Sequence, residues 1–426
     1  MSQTVSVDEL KVGMYVHLDV GWMDHPFPRS SFRVGNIEQI RQIRQLGLQR
    51  LRWDPALSTI GSTSPAPAAT DEANPDPSDD GAAPDGPDPQ AAQREALRRQ
   101  READQLCHAQ YEDAGRALDQ AFSRVLAQPR AARGDIESLS RALRDKMLVD
   151  GELCIRMLNV AAGDRATTHP MNVAVVAMLL GRRLGLDGDE IARLGAGALL
   201  HDIGKLELPM ALRKPDAQAR AAEQAAYRSH VELGLRQARL MGADETALAI
   251  IAQHHEVADG SGFPRQLAGD AIAVAARIVS LVNRFDNLCN PQVLEQPMTP
   301  HEALSSLFAH HRGRFDAGVL HAFIRMMGVY PAGSLVQLSD DRYGMVVSVD
   351  PDRPLKPQVL VHDPAVARDD ALYLDLQRAG DLAIRRSLRA TQLPPPVLAY
   401  LSPGERVTYF FEPRPALSAL AEAAVS

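Results

Sequence analysis

The chain has 426 residues, 45% of them hydrophobic, which is enough for two or three domains with a sizeable core. Its longest apolar run, "VAVVAMLL" at 173–180, is far too short to span a bilayer as a helix. The net charge of −8 hides an asymmetry: residues 61–92 hold seven carboxylates and no Lys or Arg, so the remainder is close to neutral and offers no basic face for polymeric nucleic acid.

Residues 1–55 read as a small α+β accessory domain. "VSVDELKVGMYVHLDV" suggests strands, "NIEQIRQIRQLGLQRLRWD" spaces its apolar residues as a helix does, and "LQRLRW" reads as a closing strand. Residues 56–92 are rich in Pro, Ala, Gly, Ser and Asp and are expected to be a disordered acidic linker. Residues 93–150 form an amphipathic helical segment that begins with "QREALRRQREADQLCHAQYEDAGRALDQAF". Residues 151–330 are dominated by apolar helical stripes, among them "PMNVAVVAMLLGRRLGL", "DEIARLGAGALL" and "AIAVAARIVSLVNRFDNL". Thr299, Pro300 and Glu302 make a helix start of the capping-box type. From 331 to 413 the runs "LVQLS", "YGMVVSV" and "QVLVH" predict a small β-rich C-terminal subdomain.

Cys107, Cys154 and Cys289 are few and widely spaced, which argues against a disulfide framework and fits a reducing compartment. The first residues, "MSQTVSVDELKVGMYV", lack the basic and apolar regions of a signal peptide. The expected location is the cytoplasm, with no membrane partner.

Five of the 13 histidines fall in residues 169–255, beside apolar helices: His169, His201, His230, His254 and His255. Each alone has an ordinary structural reading, as a satisfied core or surface residue. Together with Asp202 and Asp286 they make a set of imidazoles and carboxylates suited to Fe, Mn, Zn or Ni. In "ALLHDIGKLELP" an imidazole, a carboxylate and the Lys205 ammonium stand at the end of a buried helix, a costly arrangement unless something compensates it. His301, His310, His311 and His321 lie on a charged helical stretch and keep the ordinary reading.

"HDIGK", a single His on the next helix and "HHEVADGSGFP" resemble the HD-GYP subgroup of HD-domain metal-dependent phosphohydrolases, over about residues 150–330. "VGMYV" and "HPF" in residues 1–55 resemble the small N-terminal domain of a bacterial subset of that family. The resemblance implies an all-α helical bundle that hydrolyses cyclic di-GMP to linear pGpG, GMP or both. It implies His169 as the first metal ligand, His201 and Asp202 as paired ligands, and His230, His254 and His255 toward a second metal. Lys205 would meet a substrate phosphate, with Asp202 and Lys205 at the chemistry and Gly262, Phe263 and Pro264 lining the substrate. Two cations held there would activate a water, polarise the phosphoryl oxygen and stabilise the leaving alkoxide.

Four features depart from the family pattern. Asn283 stands where the last metal ligand is an Asp, with Asp286 one turn on and able to contribute instead. Arg165 replaces the Glu of trinuclear members, so two divalent metals, iron or manganese, are expected. The basic residues that follow the second Asp are missing from "CNPQVLEQP", which leaves Arg277 as a candidate substrate contact. Phe263 replaces the motif Tyr, losing a hydroxyl and keeping an aromatic face. The alternative reading is a degenerate domain that senses cyclic di-GMP or engages a protein. A homodimer or a signalling protein completes the expected partners.

Overall fold

The computed structural model describes residues 3–25, 27, 30–59, 89–148, 152–158, 165–213, 220–291, 297–401 and 406–414. Most of the linker expected at 56–92 lies outside them; Pro55–Leu57 form a 3-10 turn, and a helix is under way from Pro89. The chain divides into two compact units, Met1–Ala103 and Asp104–Ser426.

In the first unit, four short strands, β1 (Gln3–Ser6), β2 (Tyr15–His17), β3 (Ser31–Arg33) and β4 (Arg50–Asp54), form an antiparallel sheet in the order β1-β4-β2-β3. Helix α1 (Ile37–Gln45) starts where the Asn36 side chain accepts from the Gln39 amide. Its buried Ile40 and Ile43 join Val5, Val16, Val34 and Leu51 in a small core. The sheet and helix follow the alternation and the 3.6 spacing read from the sequence.

Helix α2 (Pro89–Arg124) crosses the division between the units and is followed by α3 (Pro129–Met147) and strand β5 (Glu152–Leu158). A helical bundle then runs through α4 (Arg165–Arg183), α5 (Gly188–Leu200), α6 (Ala221–Arg228), α7 (His230–Met241), α8 (Glu245–Gln253), α9 (Val274–Cys289), α10 (Pro300–His310) and α11 (Ala317–Met327). Helix α5 packs on α3, α4 and α8, and α9 packs on α4 and α8. Their facing stripes, from Val173–Leu180, Leu194–Leu200 and Ile278–Val282, are buried. Reciprocal capping boxes start α5 at Asp187 with Glu190 and α10 at Thr299 with Glu302. Gly242, in the left-handed region at φ 74°, ends α7.

The C-terminal strands β6 (Leu335–Leu338), β7 (Tyr343–Val349), β8 (Gln358–Val361), β9 (Leu374–Asp375), β10 (Ile384–Leu388) and β11 (Thr408–Arg414) form an antiparallel sheet, with α12 (Pro395–Leu401) between the last two. The sheet also takes in β5, paired along its length with β11 from Glu152↔Arg414 to Leu158↔Thr408 and with β7 at Ile155↔Val349. The sequence reading puts residues 152–158 in the helical region; the "ELCIRML" stretch becomes a strand because its partners lie some 190 and 250 residues downstream. Among the described residues, no helix is long and apolar enough to cross a membrane.

Candidate metal centre

The buried end of α5 delivers His201, and the chain turns at once into a tight 3-10 segment, Ile203–Glu207, that carries Lys205. That turn presses against α7. A Cβ at Gly204 would lie 1.9 Å from the His230 carbonyl oxygen and 2.4 Å from the Gly234 nitrogen, so only glycine permits the approach that brings Asp202 to His230. Helix α4 presents His169, the first residue of α7 is His230, and the end of α8 presents His254 and His255.

These residues converge as two groups that share Asp202: His169 and His201 on one side, His230, His254 and His255 on the other. Within each group the ligand atoms lie within 4.8 Å of one another. The carboxylate divides its oxygens between them. Oδ2 is 3.6 Å from His169 Nε2 and 3.3 Å from His201 Nε2, whereas Oδ1 is 3.5 Å from His230 Nε2 and 3.6 Å from His254 Nε2. Lys205 Nζ donates to Oδ2 at 2.5 Å.

The outer nitrogens of four imidazoles are pinned. His201 Nδ1 bonds the Ala198 carbonyl at 2.7 Å, His230 Nδ1 the Tyr227 carbonyl at 2.6 Å, and His254 Nδ1 the Ile251 carbonyl at 3.0 Å. His169 Nδ1 bonds Asp286 Oδ2 at 2.6 Å. A carbonyl or carboxylate accepts only from N–H, so each ring carries its proton outside and turns the Nε2 lone pair inward. His230 Nε2 then lies 3.3 Å from His254 Nε2, acceptor facing acceptor, and 3.2 Å from His255 Nε2.

The electrostatics match a set of neutral ligands around one anion. Burial lowers the pKa of His169, His254 and His255, and brings His230 down to about 3, so these rings are uncharged near neutrality. Burial works against ionisation of Asp202, but the Lys205 charge and His201 outweigh it and hold its carboxyl well below the usual range. His169 Nε2, His201 Nε2 and Asp202 Oδ1 are buried and have no hydrogen-bond partner. Unpartnered buried lone pairs are costly, and cations between them would satisfy all of them at once. The donor set therefore fits divalent transition metals.

Other residues expected at the site are placed differently. Asp286 stands behind His169: Oδ2 takes the imidazole N–H, and Oδ1 accepts from Asn172 at 2.8 Å and Asn290 at 2.9 Å. Both oxygens are thus spent in orienting His169. Asn283 is buried one turn earlier on α9, and its side-chain oxygen accepts from Asn287 at 2.6 Å. Arg277 is tied to Asp316 at 3.0 Å, Asp270 at 2.9 Å and the Ile272 carbonyl at 2.8 Å, so all three of its nitrogens are engaged in holding α9. The segment around Gly262, Phe263 and Pro264 closes over His255. A Cβ at Gly262 would meet the His255 carbonyl oxygen at 2.5 Å, and the Phe263 ring stacks on the His255 ring at 4.4 Å. Buried Glu256 anchors the loop by accepting from the Arg265 and Leu267 amides.

Sequence reasoning missed Tyr227 and Arg228. Lys205 Nζ lies 5.1 Å from the centre of the Tyr227 ring, which sits 4.8 Å from the His230 ring, and the Arg228 guanidinium lies 4.8 Å over Phe263. Their closeness to His230 in the chain was the available signal.

Residues 152–319 match the HD domain family. The "HDIGK" and "HHEVADGSGFP" motifs fall inside that match. Residues 2–135 match a domain family of unknown function. The chain is 27% identical over 398 residues to the cyclic di-GMP phosphodiesterase PA4108 of Pseudomonas aeruginosa, covering 89% of this chain and 90% of that one. It is 32% identical to the cyclic di-GMP phosphodiesterase response regulator RpfG of Xanthomonas campestris, over 35% of this chain and 40% of the relative. A 3′3′-cGAMP-specific phosphodiesterase 2 of Vibrio cholerae matches at 32% identity over 39% of this chain and 32% of its own.

Proposed function

We propose that this chain is a metal-dependent phosphodiesterase that opens cyclic di-GMP to pGpG, GMP or both, and that it works in the bacterial cytoplasm. The observation that carries the reading is the Asp202 carboxylate, which offers one oxygen to each of two imidazole groups whose inward nitrogens include unpartnered ones. His169, His201 and Asp202 would hold one divalent ion, and Asp202, His230, His254 and His255 the second; iron or manganese suits this mixture of imidazole and carboxylate. Bound there, such ions supply Lewis-acid charge and ionise a water near neutral pH.

The chain's own residues do the rest. Asp286, Asn172 and Asn290 fix the His169 ring before any ligand arrives. Lys205, on its 3-10 turn, holds positive charge beside Asp202, where negative charge grows on the phosphoryl group. Its pKa is raised: burial disfavours the charge, but Asp202 and Tyr227 more than offset it, so the side chain is an ammonium throughout the working range. The Phe263 ring covers His255 and excludes water from that side. Residues 1–55 serve as an accessory domain of the enzyme.

The test combines elemental analysis of anaerobically purified protein with a turnover assay on cyclic di-GMP that resolves pGpG and GMP. About two transition metals per chain and metal-dependent product are expected. Iron- or manganese-loaded protein that binds cyclic di-GMP and yields no product over hours would replace the enzyme by a sensor.

A further inference from the structure

A cyclic dinucleotide carries two phosphodiesters. While one lies at Asp202, the other keeps its negative charge and has to rest against something. The cations near the centre differ in what they can offer. Lys205 is committed to Asp202, and Arg277 is held between Asp270 and Asp316. Arg228 is exposed, and among the described residues it pairs with no carboxylate. Its guanidinium lies 4.8 Å over the Phe263 ring, which in turn stacks at 4.4 Å on His255, so Arg228 stands one ring away from a proposed metal ligand.

Its position is not accidental to the fold. Arg228 is the last residue of α6, and Tyr227 beside it ties that turn to the centre through Lys205, through the His230 ring and through the carbonyl that bonds His230 Nδ1. The backbone is therefore anchored at the metal centre while the guanidinium remains at the rim. A planar guanidinium over an aromatic face uses that face for its carbon and keeps the N–H groups of its own plane available to a phosphate at its edge.

We infer that Arg228 binds the second, non-reacting phosphodiester of a cyclic dinucleotide and so sets the preference for such substrates over simple diesters. The inference rests on the proposed activity. It implies a contact that strengthens substrate binding and leaves the bond-breaking step alone.

The experiment compares wild-type protein with Arg228→Ala and Arg228→Lys, all manganese-loaded and with equal metal content. Calorimetric titration with cyclic di-GMP should show about tenfold weaker binding for Arg228→Ala, the size of one charge-assisted contact at a screened surface. Arg228→Lys should recover part of the loss. In turnover, KM for cyclic di-GMP should rise with kcat little changed, while hydrolysis of bis(p-nitrophenyl) phosphate, which has a single phosphodiester, should be the same in all three proteins. Equal cyclic di-GMP affinity in wild type and Arg228→Ala overturns the inference alone, and so does an equal loss on both substrates. Binding that Arg228→Ala weakens, in a protein that yields no product, keeps the inference and overturns the enzyme. No binding by the wild type overturns both.

Discussion

Two buried polar clusters sit in the larger unit, and they are built on opposite terms. At the sheet, Arg156 on β5 bonds Glu412 on β11 at 2.6 Å and also Asp104 on α2, while the Tyr373 hydroxyl donates to Asp104 at 2.7 Å. That cluster leaves no buried polar atom over. At the helix ends around Asp202, three buried atoms are left over, and the Nε2 lone pairs of His230 and His254 face one another. Burial costs are similar in kind at both places. The difference is that one cluster is complete within the protein and the other needs something from outside. A saturated buried ion cluster ties elements together; an unsaturated one, held rigid by outer hydrogen bonds, is a site.

The comparison can be broken by substitution. The largest effect is expected at the centre: His201→Ala should cut turnover by more than about 10³-fold and lower metal content as well, because it removes a ligand of the first group. Unchanged metal content by elemental analysis would show that His201 is not a ligand. In the sheet cluster, Arg156→Ala should cost about 3–5 kcal/mol of stability, since two carboxylates lose their cation, while metal per folded chain stays the same. Chemical denaturation followed by circular dichroism measures this, and a loss below about 1 kcal/mol would make the cluster no more than a surface ion pair.

Lys205→Ala sharpens the contrast from the other side. It should lower turnover by about 10²–10³, as for loss of one preorganised charged donor, with metal content intact because a protonated Lys does not ligate. A parallel loss of metal would move Lys205 from chemistry to structure. The smallest of these effects belongs to Asp286→Asn, which keeps the shape but weakens the hold on His169. Metal affinity should drop about 10–100-fold, read by competition with a metal-sensitive dye. An unchanged affinity would mean that the His169 ring is oriented by packing alone.

Much of the candidate site could be read from the chain, because its residues come in local pairs. His201–Asp202 and His254–His255 are adjacent, and their spacing from Lys205 and from "DGSGFP" is a property of short segments. Helix starts were legible for the same reason: Thr299 and Glu302 cap one another within four residues. The roles of Asp286 and Arg277 were not legible. Whether a carboxylate faces the centre or stands behind a histidine depends on Asn172, 114 residues away on α4, and on how α9 packs against that helix. Arg277 reads as a spare cation until the fold sets Asp316 against it.

What the sequence determined by itself was the inventory and its local geometry: the apolar helical stripes, the capping box at Thr299, and the residue types able to take metal. Which oxygen of Asp202 faces which imidazoles, that Phe263 lies on His255, that Tyr227 and Arg228 border the site, and that residues 152–158 join a sheet with residues 408–414 were decided only by the tertiary structure. The reason is physical. Propensity, capping and chain turns act over a few residues, whereas the direction of a side chain in a core and the partner of a strand are settled by which distant surfaces bury one another.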